Sequence, residues 1–190
     1  MDRINKVSRL LMDRWFTEMA VNYCLPEDVA RQLHDIGYVI IEGAVAHTER
    51  APLSAAYDAA VLAAHPDEVS VRSWPMIGFI YMIDEFRGDN GATRFVPGSH
   101  MLSREPDEMM KDATADCEGQ TLACGPAGSV IIYNGSIWHG HTANRSAGRR
   151  RSIQGAFIRR DAQSAVNWAA RISTETLCRI GNLGKYLLDI

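Results

Sequence analysis

Residues 128–141 read Gly128-Ser129-Val130-Ile131-Ile132-Tyr133-Asn134-Gly135-Ser136-Ile137-Trp138-His139-Gly140-His141. A β-branched run closing on tyrosine, an Asn-Gly turn dipeptide and a second run ending in alternating histidines describe two strands joined by a tight turn. Side chains alternate along a strand, so His139 and His141 share one face. Beyond a polar stretch from Asn144 to Gly148, residues 150–159 form a further strand. There Arg150, Ser152 and Gln154 share one face, and Arg151, Ile153 and Phe157 share the other. Upstream, strands are expected over Gln120 to Cys124, over Thr93 to Val96 before Pro97-Gly98, and over the near-continuous apolar run from Met76 to Ile83. Asp89-Asn90-Gly91 marks a turn, and Met101 to Asp116 reads as a loop with a helical turn. Many short strands at even spacing, separated by glycine-rich turns, predict a barrel or jelly roll.

Helices flank this centre. Ile4, Val7, Leu11 and Trp15 recur at helical spacing. Pro26-Glu27-Asp28 opens a second helix, with Gly37 just past its end. Tyr38 to Glu42 is a short apolar strand. Thr48 to Ala64 is an Ala-rich helix with Pro52 near its start, ended by Pro66. After Asp161 the pattern returns to helix, with Val166, Ala169 and Ala170 on one face. The expectation is a mainly β protein with flanking helices: one domain, 1–190, with a helical part over 1–70, a β core over 74–160 and a helical tail over 161–190.

An apolar share of 46% is enough to build a core without metal or disulfide staples. A formal net charge of −3 points away from nucleic acid and anionic membrane as partners. The one dense basic run, Arg149-Arg150-Arg151, lies inside a strand pattern rather than a solvated tail. No stretch approaches a membrane span, and the N-terminus lacks the apolar core of a signal peptide. Cys24, Cys117, Cys124 and Cys178 form no Cys-x-x-Cys pair, the pattern of scattered reduced thiols in a cytoplasmic protein. The sequence says nothing of the oligomeric state.

Two inward polar faces inside a barrel cost stability unless they bind something. Imidazole offers a transition metal a neutral nitrogen, and a guanidinium beside a hydroxyl clamps a carboxylate. Metal at one end and clamp at the other is the layout that holds a 2-oxo acid. A single strand histidine is by itself more often structural than a ligand, so spacing alone leaves both roles open.

The stretch Asn90-Gly91-Ala92-Thr93-Arg94-Phe95-Val96-Pro97-Gly98-Ser99-His100 resembles the Asn-Gly-Ala-Leu…Pro-Gly-Ser-His signature of phytanoyl-CoA dioxygenase-like proteins. Gly128 to Tyr133 resembles their Gly-initiated strand, and His139 with Asn144, Ser146 and Arg150 resembles their H-x-x-x-x-N-x-S-x-x-x-R pattern. The resemblance covers roughly the last two-thirds of the chain. It implies a double-stranded β-helix, a jelly roll of cupin-like kind, with Fe(II) and 2-oxoglutarate as cofactors and a small organic molecule as substrate. It implies His139 as the distal metal ligand and Arg150, with Ser152 beside it, as the 2-oxoglutarate clamp. His100 is expected to hydrogen-bond within its turn and not to bind metal.

The family's metal site also uses a His-x-Asp pair. The one such pair here is His65-Pro66-Asp67, which follows a helix and carries a proline that restricts convergence of its side chains. His47-Thr48-Glu49, the only His-x-acid alternative, sits at a helix start. Either His65 and Asp67 reach the site by an unusual route, or the chain lacks two ligands. Motif context favours the second, with His65 and Asp67 away from His139. The rival functions are a catalytically inactive β-helix domain that binds a small ligand or a protein partner, and a cupin-like barrel with another metal.

Overall fold

The computed structural model describes residues 13–21, 25–63, 76–102, 104–112, 114–159, 162, 164 and 166–190. The chain divides into two compact units, Asp28–Ala162 and Met1–Glu27 with Gln163–Ile190.

The larger unit holds all seven strands found among the described residues. β1 (Tyr38–Ile41), β2 (Met76–Met82), β5 (Val130–Asn134) and β7 (Ser152–Ile158) form one sheet, in the order β1-β5-β2-β7. β3 (Thr93–Phe95), β4 (Thr121–Ala123) and β6 (His139–His141) form a second, in the order β4-β3-β6. Every pairing is antiparallel. The expected strands are all present, most of them trimmed where the chain turns away, while β5 runs past Tyr133 to Asn134. Helix α1 (Glu27–Ile36) ends on Gly37 at φ 94°, whose N–H donates to the Leu33 carbonyl at 3.1 Å. That left-handed closure suits glycine. Helix α2 (His47–Ala63) follows β1, and a single helical turn, α3 (Pro106–Met109), interrupts the long loop after β3.

Period-two alternation puts Ile80 and Met82 of β2 and Ile131 and Tyr133 of β5 into the core. There they meet Phe86, Phe95, Ile137 and Tyr38. The Tyr38 and Phe95 rings stack at 4.5 Å. Two strand glycines make room for rings. Gly78 faces Tyr133 across the ladder, and a Cβ there would overlap the Tyr133 ring. On the other face Gly155 faces Phe79, and a Cβ would come within 2.6 Å of the Phe79 ring.

Asn134-Gly135 does form a turn, with the Asn134 side chain accepting from Ser136 N–H at 2.9 Å. The strands it joins are not paired with each other, however: β5 belongs to one sheet and β6 to the other. The turn carries the chain across the core, because core packing and not local turn geometry selects the partners of β6.

In the smaller unit residues 13–20 are helical, followed in the tail by α4 (Trp168–Arg171), α5 (Thr174–Arg179) and α6 (Asn182–Leu188). Tyr186 stacks on Phe16 at 4.4 Å and meets Trp15 edge-on at 6.5 Å. Val166 precedes the tail helix instead of lining its face: Asn167 is the N-cap, accepting from Ala170 N–H, and only Ala169 and Ala170 lie inside. Of the expected first helix, Ile4, Val7 and Leu11 lie outside the described residues. Among the described residues no helix is long and apolar enough to cross a membrane.

Gly78→Ala should destabilise the protein by about 1–3 kcal/mol through overpacking against Tyr133. Gly88→Ala, whose Cβ would meet only Leu122 at 3.6 Å, should stay within about 0.5 kcal/mol of the parent. Urea denaturation of the two variants checks the difference.

Candidate active site on the inner face

β6 pairs with β3 so that His139 lies opposite Phe95 and His141 opposite Thr93. The His139 ring is wedged between Phe95, at 5.8 Å, and Tyr133, at 5.0 Å. Its Nδ1 lies 2.9 Å from the Ile137 carbonyl. A carbonyl only accepts, so Nδ1 carries a proton, and in the neutral ring the lone pair a metal ligand needs is on Nε2. The residue as a whole is exposed to solvent. Burial first, then the neighbouring Arg150 and His139, holds the His141 pKa below the usual histidine value. At neutral pH its imidazole is uncharged.

The opposite sheet supplies the cation. Arg150 lies just ahead of β7, its guanidinium 4.6 Å from the centre of the buried Phe86 ring. Its Nη1 donates to Ser152 Oγ at 3.2 Å. Gln154, next on that face, donates from Nε2 to the Tyr133 hydroxyl at 3.1 Å. Arg151 points the other way. Its Nε and Nη2 grip both oxygens of Asp84 at 2.9 and 2.8 Å, and its Nη1 reaches Asp58 of α2 at 2.7 Å.

Thr93 was not singled out as a site residue from the sequence. It is 1% exposed, shares the inward face of β3 with Phe95, and its hydroxyl has no hydrogen-bond partner. A buried hydroxyl without a partner costs roughly 1–3 kcal/mol, which a polar ligand would recover. The available signal was a hydroxyl at an inward strand position between apolar residues.

Several motif residues support the site without entering it. Asn90 accepts from Arg87 N–H and donates to the Glu85 carbonyl, both at 2.8 Å. Asn90 also forms an antiparallel bridge with Asn144. Asn144 folds the loop ahead of Arg150, donating to the Gly148 carbonyl at 2.9 Å and accepting from the Ser146 N–H and hydroxyl at 3.0 and 2.8 Å. Gly91 has φ 88°, and a Cβ there would come within 3.1 Å of the Thr142 carbonyl. Ser99 accepts from Trp138 N–H at 2.8 Å, just ahead of β6. His100 does not bond within its own turn as expected. Its Nε2–H donates to the His34 carbonyl at 2.9 Å, tying down the end of α1, beside which the turn is held by the Gly98 N–H bond to the Ile36 carbonyl at 2.9 Å.

His65 and Asp67 lie outside the described residues. His47 and Glu49 occupy the first turn of α2, where Glu49 N–H bonds to the Ala46 carbonyl at 2.9 Å. Among the described residues no group of three His, Cys, Asp or Glu side chains is arranged to hold a metal. The described donors would supply one corner of a metal site: an imidazole whose Nδ1 is held by a carbonyl comes from one sheet, an arginine–serine pair from the other, and an orphaned buried hydroxyl from the inward face of β3.

Two antiparallel sheets with flanking helices form the double-stranded β-helix, a cupin-like jelly roll. The chain belongs to the phytanoyl-CoA dioxygenase family, whose model, "Phytanoyl-CoA dioxygenase (PhyH)", matches residues 55–152, more than half of the chain. It is 40% identical over 78 residues to dioxygenase cdmA of Talaromyces verruculosus, a match covering 41% of this chain and 25% of that protein. The matched stretch thus spans about a quarter of that relative's length. In fold it is similar to AviO1 from Streptomyces viridochromogenes Tue57, with TM-score 0.59 and 14% identity over 73% of this chain and 97% of that one. It is also similar to HygX from Streptomyces hygroscopicus, with TM-score 0.54 and 12% identity over 70% of this chain and 86% of that one. That HygX structure holds nickel, 2-oxoglutarate and hygromycin B.

The Asp84 carboxyl is held below the ordinary 3.8 by its hydrogen bonds from Arg151. A depressed carboxyl pKa gives stability that is present above the unfolded value and lost as pH falls through the folded one. The stability difference between the parent and Asp84→Asn should therefore be constant near neutrality and shrink below about pH 4. Urea midpoints measured from pH 7 down to pH 2.5 check this.

Proposed function

We infer that this protein is an Fe(II)- and 2-oxoglutarate-dependent oxygenase acting on a small organic molecule. The observation that carries the reading is the combination of His139, its Nδ1 held by the Ile137 carbonyl, on one sheet with the Arg150–Ser152 pair on the other. His139 would be one metal ligand, and of the two routes that the sequence left open this reading requires the one by which His65 and Asp67 supply the other two. Arg150 and Ser152 would take the far carboxylate of 2-oxoglutarate, with Thr93 as an added donor to the same ligand. When bound, iron and 2-oxoglutarate would activate O₂, one oxygen atom ending in succinate as CO₂ is lost and the other in the substrate.

The chain's own contribution is positional. The Nδ1–H bond to Ile137 holds the imidazole in one tautomer and orientation. The Phe86 ring beneath Arg150 keeps water from one side of the guanidinium, which strengthens its attraction for a carboxylate. The neutral His141 adds polarity to the inner face without a second positive charge beside the metal corner. Support for a cytoplasmic setting comes from Cys117, Cys124 and Cys178, all free thiols.

Calorimetric titration of 2-oxoglutarate into the Mn(II)-loaded protein tests the clamp. Arg150→Ala should cost on the order of 2–5 kcal/mol of binding. Thr93→Val should weaken binding while leaving thermal stability unchanged or raised, because it removes an unpaired buried hydroxyl. Wild-type affinity in Arg150→Ala would end the clamp assignment.

Metal analysis tests the triad. Purified protein should carry one iron per chain, and His139→Ala, His65→Ala and Asp67→Ala should each lose it. Protein with no iron and no succinate formation would instead support the inactive ligand-binding domain. Iron retained in both His65→Ala and Asp67→Ala would place the remaining ligands elsewhere.

A further inference from the structure

Three arginines in a row, Arg149, Arg150 and Arg151, precede β7, and only one can serve as the inward clamp. Their side chains are chemically identical. A one-residue bulge ahead of Ser152 would exchange which of them faces the core. Something outside the site must therefore decide the choice.

The outer side of the sheet holds that device. The ladder between β2 and β7 runs to Met82 opposite Ser152. Beyond it, the Arg151 carbonyl accepts from Ile83 and Asp84 N–H at 3.2 and 3.3 Å. The Asp84 side chain then closes the circuit, accepting Arg151 N–H at 2.8 Å in addition to the two-point grip on its guanidinium. One carboxylate thus fixes both the strand position of residue 151 and the direction of its side chain. Asp58 of α2 takes the remaining edge of the guanidinium at 2.7 Å. Arg151 and Asp84 are only 23% and 25% exposed, so solvent screens the pair incompletely. With residue 151 pinned outward, alternation turns residue 150 inward onto Phe86 and Ser152.

We propose that Asp84, backed by Asp58, is a positioning residue that selects Arg150 out of the three consecutive arginines as the carboxylate clamp. The role rests on the clamp reading above for its ligand. The selection itself is a property of the unliganded chain.

Two measurements test it. The first needs no ligand. The Arg150 side-chain NMR signals, assigned by their loss in Arg150→Lys, should be shifted by the ring current of Phe86. That shift should collapse in Asp84→Asn. The second is the affinity for 2-oxoglutarate in the Mn(II)-loaded protein, measured well below each variant's melting temperature. Asp84→Asn should weaken it tenfold or more, and should raise KM for 2-oxoglutarate with kcat at saturation within twofold. Ile153→Ala, a destabilising change on the outer face of the same strand, should leave the affinity within twofold. If Asp84→Asn does not fold, Arg151→Lys, which keeps the charge and gives up the two-point grip, is read in the same way.

An Arg150 ring-current shift that persists in the Asp84 variant overturns the proposal, as does equal loss of affinity in Ile153→Ala. Wild-type binding in Arg150→Ala defeats the clamp reading instead. The NMR result then still decides whether Asp84 sets the direction of Arg150.

Discussion

The register of β2 between β5 and β7 is the constraint on which the rest of the structure depends. β2 is the one strand hydrogen-bonded to both, and its alternation sets which side chains of three strands face the core. Gly78 lets the Tyr133 ring lie across β2, and Tyr133 in turn wedges His139 and takes the Gln154 hydrogen bond. A slip of one residue would put Phe79 where Gly78 is, drive Tyr133 off the strand and send Ser152 and Gln154 to the outside. The site is thus a consequence of one pairing pattern more than of any single ligand.

The inner face is unusually polar for the centre of a sandwich. Ile80, Met82, Ile131, Phe86 and Phe95 fill the core, Thr93, Arg150 and Ser152 bring nitrogen and oxygen directly against it, and His139, His141 and Gln154 lie at its exposed edge. Burying such groups costs free energy unless they are paired. Most are paired with backbone or with each other, but the Thr93 hydroxyl is not. Cores tolerate such an exception where a ligand completes it, which is the physical sense in which this face is prepared rather than merely filled.

The signature residues divide between chemistry and scaffolding. Asn90, Gly91, Ser99, His100, Asn144 and Ser146 each hold a loop or a strand end in place. Their hydrogen bonds go chiefly to backbone groups. His139, Arg150 and Ser152 carry the side chains of the candidate site. The two sets are coupled, since Asn90 meets Asn144 across a bridge and Asn144 shapes the loop that delivers Arg150.

The sequence by itself determined the strands, the turns and which residues share a face. Those follow from period-two alternation, β-branched runs and Gly, Pro and Asn punctuation, all of which act within a few residues. It therefore placed His139 with His141, and Arg150 with Ser152 and Gln154, and set Arg151 on the other side. The tertiary structure alone decided that β5 and β6 lie in different sheets, that His100 reaches α1, and that Thr93 is left without a partner. It alone also decided that Asp58 and Asp84, 26 residues apart in the chain, converge on Arg151. Each of these depends on which distant surfaces pack together, and local spacing carries no information about a partner supplied by another element.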